Sequence, residues 1–367
     1  MANNKQNKKV LVAMSGGIDS SVTALLLKEQ GYRVTGVTMK LWVDRGGSFD
    51  PNYVQSIIRD AKKAAETLDV EHYVVDAEGQ FFRQVVNNFT AVYGSGKTPN
   101  PCVICNHIVK FAVLLAEANR LRIPWVATGH YARVGRDSEK SKVRLYKAAD
   151  SSKDQSYMLY RLTQIELAAT LFPLGMLTKD KVKLMAEKTG IYGIDRPESQ
   201  EICFIPDNDY RAFLERQGAI KGDEGNIVDL QGNVLGRHQG IANYTVGQRK
   251  GLGITSPHPL YVSHIDCIKN LIVVGAEEDL YSRGLIAGEM NYIAGSPPED
   301  PLNVEVKIRY RAKPVPAILY PEGKGEKAKI IFSEQQKAVT PGQSAVLYSD
   351  DEVIGGGIID TPLTGQV

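Results

Sequence analysis

Residues 9–14 are apolar at nearly every position. They give way at once to Ser15-Gly16-Gly17-Ile18-Asp19-Ser20, and residues 20–30 then carry helical spacing with Leu25, Leu26 and Leu27 inside. A strand that is apolar throughout is buried on both faces, and a glycine turn into a helix is how such a strand reaches a parallel neighbour. The alternation continues: strand over 33–39, helix over 54–68, strand over 72–75, helices over 81–93 and 108–119, strand over 125–127. This predicts an α/β fold, a parallel sheet with helices on both faces.

The texture then changes. Residues 156–190 read as mostly helical, and 212–217 as a last helix. Beyond Gly218, frequent Gly and Asn mark turns and short strands, with a hairpin over 261–265 and 271–274 joined through Lys269 and Asn270. Pro297 and Pro298 mark a linker. Short β-rich runs at 304–310, 317–320, 328–332, 345–348 and 353–359 predict a small barrel, with 323–329 as a solvated hairpin tip. At 367 residues the chain exceeds what one core serves. The expected domains are 1–206 (catalytic), 207–285 (small, central) and 286–367 (C-terminal β-barrel).

Charge is nearly balanced, +2 overall with an isoelectric point near 8.2, so nucleic acid would be held by local patches and not by a global field. No uninterrupted apolar run reaches the roughly 18 residues of a membrane span, and residues 1–9 are polar without a signal-type segment. A cytoplasmic location is expected. The four cysteines, Cys102, Cys105, Cys203 and Cys267, are too few for a disulfide framework. In a reducing compartment the Cys102-x-x-Cys105 spacing points to redox, metal or sulfur chemistry.

In the loop 15–20 the glycines permit close backbone approach to phosphate oxygens, and the helix start turns free N–H groups toward an anion. Ser15 and Ser20 can add hydroxyl donors; Asp19 would support a Mg²⁺ ion or orient the loop. No lysine follows the glycines, so this is no Walker motif. Gly94-Ser95-Gly96-Lys97-Thr98 imitates one, but it follows a helix, has Ala91 where glycine is required, and runs into Pro99. It reads as a helix exit, with Lys97 available to face RNA.

The Ser-Gly-Gly-x-Asp-Ser form resembles the PP-loop of the ATP pyrophosphatases, which cleave between the α- and β-phosphates and include amide-forming ligases. Two further strings narrow the choice: Thr98-Pro99-Asn100-Pro101-Cys102-Val103-Ile104-Cys105-Asn106 and Pro197-Glu198-Ser199-Gln200-Glu201-Ile202-Cys203-Phe204-Ile205. Cys105 is expected near a helix N-terminus, where the dipole lowers a thiol pKa. With Ala127-Thr128-Gly129-His130-Tyr131, Lys153-Asp154-Gln155-Ser156-Tyr157, Tyr244 to Gly251 and Thr340 to Ala345, these strings resemble the bacterial tRNA-specific 2-thiouridylase family from about Val10 to the C-terminus.

That resemblance implies ATP over Ala13, Met14, Ser15, Gly16, Gly17, Ile18, Asp19 and Ser20, with Met39 and Gly129 near the adenosine and Mg²⁺ as the accompanying ion. It implies adenylation of the uracil 2-carbonyl oxygen, a persulfide on Cys203 and Cys105 as the partner nucleophile, both thiols partly exposed and deprotonated. Implied tRNA contacts are Asn100, Pro101, Cys102, His130, Lys153, Asp154, Gln155, Arg309, Tyr310 and Gln343. Implied partners are tRNAs for Lys, Glu and Gln, read at the wobble uridine, and a sulfur-relay protein that donates persulfide. Where some relatives have Asp, this chain has Cys102. It is a bystander, or Cys102, Cys105 and Cys203 hold an iron–sulfur cluster or zinc. An amide-forming ligase of the same superfamily and a non-catalytic RNA-binding protein with a relic loop are the competing readings. Taken alone, Arg309, Arg311 and Lys313 read as a solvated strand face.

Overall fold

The computed structural model describes residues 8–44, 46, 52–137, 142–191, 202–218 and 223–364. Strand β1 (Lys9–Ala13) enters helix α1 (Ile18–Glu29) through the glycine loop. There follow β2 (Arg33–Lys40), α2 (Tyr53–Thr67), β3 (Glu71–Asp76), a helix α3 over 78–94, α4 (Pro101–Arg120) and β4 (Trp125–Ala127). The strands lie in the order β3-β2-β1-β4 and are parallel throughout. Alternation along β1 explains why both faces are covered. Val10 and Val12 pack with Val22, Ala61 and Ala64 from α1 and α2, whereas Leu11 packs with Leu114 and Ala118 from α4.

Helix α4 is long and apolar enough to cross a membrane by length and composition. Here it is an interior helix: Val103, Val109, Phe111 and Leu114 are buried against the rest of the domain.

The expectation of a mostly helical 156–190 is corrected. After the hairpin β5 (Arg133–Asp137) and β6 (Lys142–Tyr146), that stretch holds only a 3₁₀ turn, the short helix α5 (Gln164–Ala168), strand β7 (Thr170–Leu171) and helix α6 (Lys179–Lys188). Pro173 and Gly175 break the helical pattern, and β7 instead extends the sheet beside β4. Helix α7 (Tyr210–Arg216) closes this part of the chain.

The central region is a four-stranded sheet in the order β10-β11-β8-β9, made of β8 (Gly225–Val228), β9 (Val234–His238), β10 (Tyr261–Asp266) and β11 (Leu271–Gly275). The antiparallel β10–β11 turn passes through Asn270 at φ 54°, a conformation asparagine tolerates.

Six strands then close a barrel: β12 (Tyr281–Tyr292), β13 (Leu302–Lys307), β14 (Val315–Glu322), β15 (Lys327–Lys337), β16 (Ser344–Ser349) and β17 (Glu352–Leu363). Their order is β12-β15-β14-β13-β16-β17, and pairing of β12 with β17 removes the free edges. Pro297 and Pro298 are not an interdomain linker, because they join β12 to β13 inside the barrel. Strand β12, which starts ahead of residue 286, hides from pattern reading because Gly284, Gly288 and a register shift interrupt its alternation.

The barrel is sewn to the N-terminal domain. Strand β6 pairs with β17, Arg144 bonds Glu352 at 2.8 Å, and the buried Tyr157 hydroxyl donates to the Ser344 carbonyl at 2.9 Å. Tyr157→Phe leaves that carbonyl without its partner. We expect a loss of about 1 kcal/mol in urea unfolding, with tryptophan fluorescence and far-UV circular dichroism as probes.

Candidate active site

In an open parallel sheet, ligands bind beyond the C-terminal ends of the strands, where the order reverses direction. Here that point lies between β1 and β4, and the two loops that leave them there are 14–17 and 128–130. They touch. A Cβ on Gly129 would stand 2.9 Å from the Asp19 carbonyl carbon and 2.9 Å from Ser20 N, so only glycine lets the second loop lie against the start of α1. Gly16 has φ +74°, and a Cβ there would meet the Ile57 carbonyl at 2.8 Å.

No side chain caps α1, whose N-cap is Gly17, so the first-turn N–H groups face the crevice. Ser20 is spent within the loop, donating to the Gly17 carbonyl and accepting from Ser15 N. Ser15 is exposed, and its hydroxyl lies 3.3 Å from Ser20 Oγ, to which it donates because the Ser20 hydrogen goes to Gly17; it must turn from that contact to donate outward. Ala13 ends β1, and Ile18 opens α1. Met14 is buried, its carbonyl accepting from Thr38 Oγ1; Met39 lies at the same end of β2.

Of the two roles expected for Asp19, orienting the loop is the one its surroundings support. Both carboxylate oxygens accept from Lys179 Nζ at 2.8 Å, and one also accepts from the Tyr131 hydroxyl at 2.8 Å. Lys179 is 6% exposed. Sequence reading missed it, since it sits in an unremarkable Lys-Asp-Lys run; the only local signal is the start of a helix after Thr178. A carboxylate so engaged is a poor Mg²⁺ ligand, and a triphosphate-borne Mg²⁺ needs few protein carboxylates.

The cysteines lie on two segments. Asn100 caps α4 by accepting from Val103 N at 3.3 Å, and Pro101 takes the first helical position, where its missing N–H costs nothing. Cys102 is exposed and Cys105 is 4% exposed. Cys105 packs in the same cluster as Ile202 and Phe204, the residues on either side of Cys203. Phe204 is pinned edge-on by Phe81, Phe89 and Phe213. Residues 197–201 of that string lie outside the described residues.

From residue 106 to residue 111 the helix runs as a π turn. In an α-helix a residue five positions on stands about 140° round the axis; an i→i+5 turn brings it back toward the starting face. Lys110 thereby comes near enough to Cys105 for its charge to act on the thiol.

Of the two thiols expected to be partly exposed, Cys203 is exposed and Cys105 is buried, and the surroundings of both favour the protonated form. Burial pushes the Cys105 thiol up to about 12, against the opposing pull of Lys110. Cys203 is exposed, yet the protein crowded around it pushes its thiol up to about 11, again opposed by Lys110. Cys102 is likewise exposed, and the protein packed around it raises its thiol too. The helix N-terminus does not rescue Cys105, because the residue turns inward among Phe and Ile side chains. For Lys110 burial disfavours the charge, and Cys105, Cys203 and Cys102 more than offset it. Among the described residues no group of three or more His, Cys, Asp or Glu side chains is placed to hold a metal ion.

His130 is held at Nδ1 by Thr128 Oγ1 at 2.8 Å, and burial, then Lys110, pushes it down to about 3, so it is neutral at pH 7. Several expected RNA contacts are engaged within the protein. Asp154 accepts from Ala148 N, Ser156 N and Ser156 Oγ. Gln155 Oε1 accepts from Tyr131 N. Arg309 lies just past β13, not on a strand face, and its guanidinium donates to the Ala338 carbonyl and to Thr340. Tyr310 stands 5.9 Å from the Tyr157 ring, with Lys307 over both rings. Lys153, next to Asp154 in the chain, is half-buried. Lys97 pairs with Asp360 of the barrel at 3.6 Å.

Two predictions follow from these charges. Lys179→Met leaves Asp19 unneutralised beside the phosphate crevice and weakens ATP binding about tenfold in calorimetric titration. Alkylation of Cys203 rises with pH toward a midpoint near 11. Because Lys110 favours the thiolate, Lys110→Met moves that midpoint upward and slows alkylation at pH 8; an unchanged profile would contradict the electrostatic role.

Comparison with known proteins matches the geometry. Residues 8–207 match the family model described as tRNA methyl transferase HUP domain, 211–276 the tRNA methyl transferase PRC-barrel domain, and 282–359 the aminomethyltransferase beta-barrel domain. The chain is 50% identical over 360 residues to tRNA-specific 2-thiouridylase MnmA 1 of Caldanaerobacter subterraneus subsp. tengcongensis, covering 96% of this chain and 98% of that one. It is 46% identical to the MnmA of Geotalea uraniireducens over 98% of this chain and 97% of that one, and 45% identical to that of Clostridioides difficile over 97% and 99%. A U34-tRNA thiolase of Methanococcus maripaludis superposes with a TM-score of 0.36 at 20% identity, over 58% of this chain and 69% of its own, too slight a likeness to carry chemistry across. With a PP-loop-type parallel domain, a central PRC-barrel domain and a closed C-terminal barrel matched in order, the chain belongs to the tRNA-specific 2-thiouridylase family.

Proposed function

We propose that this enzyme activates the 2-carbonyl of a tRNA uridine with ATP and replaces its oxygen by sulfur carried on Cys203. The observation that carries the reading is the meeting of two segments about a hundred residues apart: Cys105 packs against the neighbours of Cys203, and both thiols share the Lys110 ammonium. Lys110 also acts on His130, which follows Gly129 in the loop against α1, and this supports a reading in which the thiols work beside the nucleotide crevice.

In this reading the triphosphate lies over the Ser15–Ser20 loop, held by first-turn N–H groups and the Ser15 hydroxyl, with Mg²⁺ on the phosphates to neutralise the leaving pyrophosphate. The uracil O2 attacks the α-phosphorus, the Pα–O bond to pyrophosphate breaks, and C2 now bears an adenylate. The outer sulfur of a Cys203 persulfide attacks C2, and AMP departs with the original oxygen. The Cys105 thiolate then attacks Sγ of Cys203. The S–S bond breaks, its electrons stay with the sulfur on C2, and a Cys105–Cys203 disulfide remains. A thiol reductant must open that disulfide before the next cycle. The burial of Cys105 and the protein crowded around Cys203 favour the protonated thiols at rest, and Lys110 lowers the cost of each thiolate as it forms.

Exposure of Cys203 suits loading by a persulfide-donating relay protein. Asn100, Pro101 and Cys102, at the start of α4, would border a uridine taken out of its stack in this reading. Lys153, Tyr310 and the neighbouring Lys307 offer phosphate and stacking contacts. The wobble uridine of Lys, Glu and Gln tRNAs is the expected substrate, in the cytoplasm. The ligase alternative leaves the paired cysteines without a task.

The test is incubation with tRNA, ATP, Mg²⁺ and a persulfide donor, followed by nucleoside mass analysis. Wild type should yield 2-thiouridine with AMP and pyrophosphate. Cys203→Ser should yield none, and Cys105→Ser should form no disulfide. Full thiolation by Cys203→Ser would overturn the assignment.

A further inference from the structure

The chain between α3 and α4 has a hydrogen-bonding problem of its own making. Pro99 and Pro101 lack N–H groups, and each holds its predecessor away from helical conformation. The Thr98 and Pro99 carbonyls therefore lie outside any helix that could satisfy them, although they lead into the first turn of the cysteine helix, where the Asn100 carbonyl accepts from Ile104 N at 3.5 Å. The partners come from the barrel. Gln343 Nε2 donates to the Thr98 carbonyl at 3.1 Å and to the Pro99 carbonyl at 2.9 Å. Thr98 N donates in turn to the Pro341 carbonyl at 2.9 Å.

The Gln343 amide is itself fixed at the backbone. Its N–H donates to the Thr340 carbonyl at 3.2 Å, and its carbonyl accepts from Ile359 N at 2.8 Å. Gly342, at φ +90°, permits the approach, since a Cβ there would stand 2.7 Å from the Thr98 carbonyl oxygen. On the α4 side, Asn100 Oδ1 accepts from Val103 N, and Cys102 and Cys105 follow within one and a half turns. The next barrel residue, Ser344, takes the Tyr157 hydroxyl on its carbonyl and the Tyr160 hydroxyl at its Oγ.

We infer that Gln343 is a positioning residue for the sulfur-transfer step, fixing the start of the cysteine helix to the barrel through the Thr98 and Pro99 carbonyls. Both N–H bonds of its amide are used, so what it offers an RNA is its remaining carbonyl oxygen. The barrel is thereby part of the catalytic framework and not solely a surface for RNA: a tRNA engaged on it is held at a fixed offset from Cys105. The consequence for turnover rests on the function proposed above; the mechanical claim does not.

The experiment uses the full chain with Gln343→Glu, which sets carboxylate oxygens against two carbonyls, and Gln343→Met, which removes the donors without adding charge. In tRNA-free protein, hydrogen exchange of the 98–106 segment should quicken about tenfold while exchange in β16 stays as in wild type. Thiolation should fall about tenfold in kcat with KM for tRNA within about twofold. Unchanged exchange in both variants would overturn the inference, whether KM for tRNA rises, as for a plain RNA contact, or stays the same. Because exchange is read without substrate, it stands even if wild type fails to thiolate, which would count against the proposed function alone.

Discussion

An ammonium taken out of water must find its counter-charge, and Lys179 finds Asp19. That pair joins the first residues of α6 to the first turn of α1, across the end of the sheet where the phosphate loop emerges. It holds the acidic residue of an otherwise anion-seeking loop in a neutralised state, with Tyr131 as a second donor. Gly129 then lies against the same turn. The crevice is therefore built from backbone on one side and a compensated charge on the other, which is what a polyanion requires.

The sulfur chemistry faces the opposite electrostatic demand. A reactive thiol is made by stabilising its anion, yet Cys105 lies among aromatic and aliphatic side chains that disfavour charge. Shielding a persulfide from water and lowering a thiol pKa pull in opposite directions. The compromise is one partly buried cation, Lys110, turned toward the thiols by a π turn. The Pro-Asn-Pro start of α4 sets where that helix begins, and Gln343 of the barrel satisfies the carbonyls the prolines leave open.

Much of the fold was legible because its signals are local. Val10 to Val12, the glycines at 16 and 17 and the Leu25–Leu27 run define β1, the loop and α1 without help from the rest of the chain. The barrel strands β13 to β17 were visible as short apolar runs between turns. Strand β12 was not, because glycines and a register shift break its period. The stretch 156–190 was misread because apolar residues that dock against the barrel imitate a helical face. The cysteines and the phosphate loop stood out as motifs. Lys179 and Lys110 did not, because a lysine in a helix looks the same whether its ammonium meets water or a buried partner.

Residue order alone dictated the strand–turn–helix units, the glycine loop, the proline-bounded start of the cysteine helix and the resemblance of its motifs to a thiolating family. These depend on backbone permissions and short-range periodicity, which act within a few residues. Tertiary packing decided that the surroundings of both thiols favour the protonated form, that Asp19 is already paired, and that Gln343 turns its donors inward. Each of those outcomes depends on desolvation and on charges brought together from segments far apart in the chain, and no local pattern encodes that distance.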